Sequence, residues 1–157
     1  MIVLVCPGFH PPALTQSFLD AFPNPQWEWR VFSGDLSPTL QTPVVLIGFS
    51  AGVVTALATT LALSMRQGNI KALIALDGWG VPLGGDFPIY RVSHDYFTHW
   101  SSALLGGGSE SFYADPPVEH WELWRSPQTT KGWSVNSNGS KTSLTAAEFI
   151  YQVILCK

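Results

Sequence analysis

Apolar residues in this chain fall into short unbroken runs separated by glycine, proline and polar clusters. The runs at 2–6, 43–48 and 70–76 are rich in β-branched residues and contain few polar ones, the pattern of strands buried on both faces. At 27–32, Trp27, Trp29 and Val31 alternate with Glu28, Arg30 and Phe32, which predicts an exposed edge strand able to pair with a second copy. Further strands are expected at 89–93 and 109–114. Leu14, Phe18 and Phe22 are spaced for a helix that Pro23 stops. Residues 51–66 predict a helix that is apolar nearly all round, packed on the sheet, covered on its outer side and closed by Gly68. A short helix ends near Leu105. Thr145 and Glu148 form a capping box before an amphipathic helix carrying Phe149, Ile150, Val153 and Ile154. The polar stretches 36–42 and 126–143 read as loops. Strands and helices alternate, so the expected fold is α/β: one domain over 1–157, a mainly parallel sheet of about six strands, and helices on both faces.

One junction in this pattern carries chemistry. The run Val44-Val45-Leu46-Ile47 leads into Gly48-Phe49-Ser50-Ala51-Gly52, and a helical segment follows at once. A serine at so sharp a strand-to-helix turn is forced into a strained backbone conformation. Side chains two residues to either side would collide, so both positions favour glycine. The hydroxyl then stands clear of the sheet above the free N–H groups of a helix N-terminus. Ligands on mainly parallel sheets bind beyond the carboxyl ends of the strands. His10, Ser50, Asp77, His94, Asp95 and His120 all fall at such ends.

Composition narrows the function classes. Hydrophobic residues make up 46% of the chain and charged ones 12%, with a net charge of −3 and no cluster of Lys or Arg. That argues against a nucleic-acid partner. The longest apolar helical run is shorter than a bilayer span and is interrupted by Thr55, Thr59, Thr60 and Ser64, so no membrane span is expected. The start lacks the basic flank of a signal peptide. Cys6 and Cys156 read as free buried thiols, and a cytoplasmic location is expected. No metal-ligand signature stands out and no cofactor is implied.

In element order the chain resembles a small, lidless α/β-hydrolase, with Gly48-Phe49-Ser50-Ala51-Gly52 as its one sharp motif. The resemblance implies a minimal α/β-hydrolase fold and a serine hydrolase cleaving a carboxylic ester or thioester through an acyl-enzyme. Its substrate would be a small molecule with an apolar acyl group. It implies Ser50 as nucleophile, His120 as base, and Asp95 as acid with Asp77 as the alternative. The oxyanion-hole amides would be those of Phe9 and Ala51. His10 departs from the family's usual His-Gly order in that loop; together with Trp79, Trp100 and Trp121 it is expected to line a substrate pocket. Two other readings stand beside this one. One is a metal-dependent hydrolase using His94, Asp95, His99 and His10, although that spacing is not a zinc signature. The other is a non-catalytic hydrolase-like domain that binds an apolar ligand.

Overall fold

The computed structural model describes residues 1–34 and 41–156, so most of the loop expected at 36–42 lies outside the described residues. The chain opens with strand β1 (Ile2–Cys6), helix α1 (Pro12–Asp20) and strand β2 (Glu28–Val31). Pro12 starts α1, where its missing N–H costs no hydrogen bond. Then come β3 (Val44–Phe49), α2 (Gly52–Met65), β4 (Ile70–Leu76), β5 (Ile89–Ser93) and α3 (Tyr96–Ala103). The chain closes with β6 (Glu110–Ala114), α4 (His120–Arg125), β7 (Lys131–Val135), β8 (Lys141–Thr145) and α5 (Ala146–Leu155).

The strands form one sheet in the order β2-β1-β3-β4-β5-β6-β7-β8. The first six are parallel, and β7 and β8 add antiparallel to the end. Side chains alternate between faces as the two-residue strand period requires. Val3, Val5, Val45, Ile47, Phe49, Ile74 and Leu76 pack with Phe18 of α1, Trp124 of α4 and Phe149 of α5. On the other face Ile2, Leu4, Leu46 and Leu73 pack with Val53, Ala56 and Leu63 of α2. The protein is therefore α/β with a mixed, mostly parallel sheet covered on both faces.

Four expectations need correcting here. The stretch 126–143 holds the β7–β8 hairpin as well as loop, so the sheet has eight strands where about six were expected. Its strands, Lys-Gly-Trp-Ser-Val and Lys-Thr-Ser-Leu-Thr, lie at the sheet edge and are mostly part-exposed, so hydrophobic alternation barely marks them. The turn between them is marked: Gly139 adopts φ 83°, and the Ser140 N–H reaches the Asn136 and Asn138 side chains. Next, α2 is closed by Gln67 at φ 58° rather than by Gly68. The Gly68 N–H returns to the Leu63 carbonyl and the Gln67 N–H to Ser64, a Schellman arrangement whose left-handed residue is a glutamine. Finally, the outer side of α2 is bare, with Val54, Leu61 and Met65 exposed. Both cysteines are free, but only Cys6 is buried, its thiol pushed up to about 12 by burial; Cys156 is exposed.

Two glycines set how closely α2 meets the sheet. A Cβ on Gly48 would lie 2.7 Å from Val53 Cα and 2.9 Å from Ala56 Cβ, and one on Gly52 would lie 2.6 Å from the Pro7 carbonyl oxygen. Backbone stands at the contact in both cases, so no side chain can swing aside. Gly52→Ala should therefore cost about 1–3 kcal/mol or more through overpacking. Gly84→Ala, which meets nothing within 4 Å, should stay within about 0.5 kcal/mol of wild type. Urea unfolding midpoints of the two variants measure the difference; equal midpoints would contradict the packing account.

Candidate active site

Strand order reverses between β1 and β3, the kind of switch point beside which parallel sheets bind ligands. Ser50 emerges there from β3 with φ 54°. Its N–H bonds the Leu76 carbonyl at 2.9 Å, so sheet pairing with β4 continues to the base of the turn. Asp77 takes the equivalent place after β4, with φ 48°, and its N–H bonds Val92 of β5. Two strained residues thus stand side by side at the ends of adjacent strands. Such conformations persist only where the surrounding structure over-determines them.

A cavity of about 310 Å³ opens at this point. Ser50, Asp77, His94 and His120 border it on one side, with Ala51, Trp79, Val81 and Thr98 completing its wall. The Asp77 side chain is only 2% exposed. Its Oδ2 accepts from Nδ1 of His120 at 2.7 Å and from Nδ1 of His94 at 2.9 Å; its Oδ1 accepts from the His94 backbone N–H at 2.9 Å. An ionised carboxylate only accepts, so both imidazoles carry a proton on Nδ1. Neutral His120 then holds its lone pair on Nε2, the form a general base requires.

His120 is the first residue of α4 and is braced by aromatic contact. Its ring stacks on Phe49 with centroids 4.7 Å apart. Phe49 stacks on Trp124 at 4.8 Å, and Trp124 on Phe18 at 3.8 Å. This column runs from α1 through α4 and β3 to the imidazole. The middle residue of Gly48-Phe49-Ser50 is therefore the floor on which His120 rests, a role that the motif spacing does not reveal.

The acid expected from sequence does not sit beside His120. Asp95 caps α3, where its Oδ1 accepts from the Thr98 N–H at 2.7 Å. Its other oxygen lies 3.3 Å from His94 Nε2. Partial burial raises the Asp95 pKa, but the Thr98 N–H and His94 outweigh it and hold the carboxyl below its usual range. Asp77, the alternative, is the carboxylate in contact with His120. The signal that separates them is register: Phe49 pairs with Leu76, so the residue after β4 falls level with the residue after β3.

The remaining expected residues divide. The amides of Phe9 and Ala51 donate no hydrogen bond among the described residues. Gly8 brings its loop against the elbow, where a Cβ would lie 3.3 Å from Ser50 Cβ and 3.7 Å from the Ala51 nitrogen. Trp79 lines the cavity. Trp121 flanks it instead, with its ring 5.0 Å from that of His120. Trp100 sits on α3, exposed and packed against Phe97 at 5.5 Å. His10 does not line this cavity: it donates from Nδ1 to its neighbour's carbonyl, that of Pro11, and borders a separate cavity beside α1, although its ring lies 5.8 Å from Phe49 and 5.9 Å from Trp121. His99 does not line it either and lies against the rings of Tyr96 and Tyr113. The grouping of His94, Asp95, His99 and His10 is therefore not assembled. The metal-compatible group among the described residues is Asp77, His94 and His120. Ser50 Oγ makes no hydrogen bond to His120; the two share the cavity wall.

His94 and His99 should titrate on opposite sides of the ordinary value of about 6.5. The hydrogen bond to Asp77 raises His94; burial opposes it, but the charges of Asp77, Asp95 and Glu119 reinforce it. Burial lowers His99, and the charge of Lys141 adds to the effect. Imidazole ¹⁵N NMR across pH 5–9 should place the His94 midpoint above that of His99, with neutral His120 protonated at Nδ1. The reverse order, or an Nε2–H His120, would contradict this geometry. Comparison of the chain with protein-family models, curated proteins and solved structures returned no match. The functional reading therefore stands on these residues and their geometry.

Proposed function

We propose that the protein is a serine hydrolase of the α/β-hydrolase type that cleaves a carboxylic ester or thioester through an acyl-enzyme. The observation that carries this reading is a strained Ser50 on a glycine-flanked elbow, sharing one cavity with a His120 whose Nδ1 is bonded to buried Asp77. In this reading Ser50 Oγ attacks the substrate carbonyl carbon while its proton passes to His120 Nε2. Asp77 holds the imidazole in the required tautomer and stabilises the imidazolium. The tetrahedral oxyanion lies towards the Phe9 and Ala51 amides, each such donor contributing about 3–4 kcal/mol in comparable sites. Collapse expels the alcohol or thiol, which takes the proton from His120. Water then repeats the sequence on the acyl-enzyme and releases the acid.

The walls speak for an apolar acyl or aryl group. Trp79 and Val81 line the cavity, and the Trp79 ring is largely exposed. A second reading, a domain that binds an apolar ligand without turnover, draws on one observation: the absence of a Ser50–His120 hydrogen bond. Catalytic hydrogen bonds are often long in unliganded enzymes and tighten when substrate binds.

Hydrolysis of short p-nitrophenyl esters decides between them. Ser50→Ala and His120→Ala should fall to background. Asp77→Asn should lose about 10³–10⁴-fold in kcat, whereas Asp95→Asn should stay within several-fold of wild type. Activity retained in Ser50→Ala would sink the hydrolase reading. An Asp95→Asn loss equal to that of Asp77→Asn would overturn the choice of acid.

A further inference from the structure

The proposed hydrolysis uses one imidazole on Asp77, yet Oδ2 of that carboxylate receives two, His120 at 2.7 Å and His94 at 2.9 Å. One ligand atom from each of Asp77, His94 and His120 lies within 4.8 Å of the others. A zinc-like ion binds imidazole nitrogen at about 2.0–2.1 Å and carboxylate oxygen at about 2.0–2.2 Å, which spaces neighbouring ligand atoms by about 3.3 Å. The two histidine–aspartate pairs would open by about half an ångström, and the two imidazole nitrogens, which lie within 4.8 Å of each other, would settle at a similar spacing of about 3.3 Å around it. The imidazole side chains are 26% and 32% exposed and have room to turn, whereas Asp77 is fixed by the His94 backbone N–H. All three residues border the cavity, which gives an ion a way in and a water for its fourth position.

The surroundings of His94 match this use. A metal-bound histidine typically donates its other ring N–H to a carboxylate that orients it. Asp95 Oδ2 already stands 3.3 Å from His94 Nε2. Two imidazoles and one carboxylate suit zinc, copper or nickel better than magnesium or calcium.

We propose that Asp77, His94 and His120 form a binding site for a zinc-like divalent metal ion, and that filling it switches off Ser50. The switch follows from the chemistry of one ring. Neutral imidazole has one N–H and one lone pair. On Asp77 the proton of His120 sits at Nδ1 and the lone pair at Nε2. A metal at Nδ1 takes the lone pair there and moves the proton to Nε2, so His120 can no longer accept the Ser50 proton. Neutral His94 makes the same exchange, its single N–H moving to Nε2, where it faces Asp95; an imidazolium His94 releases its Nδ1 proton to solvent and keeps the one on Nε2. No bond to substrate forms or breaks in this step.

The binding half of the proposal is independent of the hydrolase reading, and the switching half rests on it. Untagged Ser50→Ala protein, which keeps all three ligands, should bind Zn²⁺ at about one ion per chain by calorimetry. With Co²⁺ it should give the visible absorption of a low-symmetry nitrogen–oxygen site, a readout that needs no further substitution. Adding His94→Asn should weaken Zn²⁺ binding at least about tenfold, with the melting temperature confirming that this double variant is folded. In wild type, Zn²⁺ over the same concentration range should abolish p-nitrophenyl ester hydrolysis and EDTA should restore it. Whatever hydrolysis His94→Asn retains should resist zinc. Failure of Ser50→Ala to bind either ion would overturn the site. Zinc bound at the site without inhibition, or with stimulation, would overturn the switch. Metal binding in a chain that hydrolyses no ester would remove the hydrolase reading and the switch together and leave the site standing.

Discussion

The close approach of α2 to β1 and β3 is the constraint on which the candidate site depends. With no Cβ on Gly48, β3 lies against Val53 and Ala56 of the helix, and with none on Gly52 the helix lies against the backbone of Pro7 after β1. Ser50, at φ 54°, sits between these two contacts. The same approach brings the loop after β1 against the elbow, with a Cβ on Gly8 falling 3.7 Å from the Ala51 nitrogen. Because the Ser50 N–H still pairs with Leu76, Asp77 is carried to the same level of the sheet. One packing contact thus sets the places of two side chains in the proposed triad. The third, His120, is supplied from α4 after β6, three strands away from β3, and needs its own support.

That support is both aromatic and electrostatic. The stack from Phe18 through Trp124 and Phe49 places a flat surface beneath the His120 ring, and Asp77 fixes its rotation about that surface. His94 contributes indirectly, as the residue that binds Asp77 through both its backbone and its ring. The loop leading to α4 is tied to the same place, since the Val118 N–H bonds the His94 carbonyl. A carboxylate 2% exposed would be costly without such partners. With three donors it becomes the point at which β4, β5 and α4 meet.

Much of this was legible in the residues. Buried parallel strands announce themselves as unbroken apolar runs, and Ile2–Cys6, Val44–Phe49 and Ile70–Leu76 stand where those runs lie. The Thr145–Glu148 capping box opens α5 as its side chains require. The errors arose where non-local geometry decides. Asp95 and Asp77 look alike in sequence, since both follow a strand and both suit a turn; only the pairing of Phe49 with Leu76 distinguishes them. The hairpin of β7 and β8 lies at an edge with little to bury, so its alternation is faint. Gln67 adopts a left-handed conformation although a glycine, the residue that usually takes that place, stands next to it. The role of Phe49 depends on a tryptophan 75 positions further along the chain.

The central claim is that the Ser50 hydroxyl is a nucleophile activated by His120 on Asp77. Its most direct test is reaction of the folded protein with a fluorophosphonate, followed by peptide mapping of the adduct by mass spectrometry. The account predicts a single phosphonyl group per chain on Ser50, formed far more slowly when Asp77 is replaced by asparagine. No adduct at Ser50, or labelling at an unchanged rate without the Asp77 carboxylate, would contradict it.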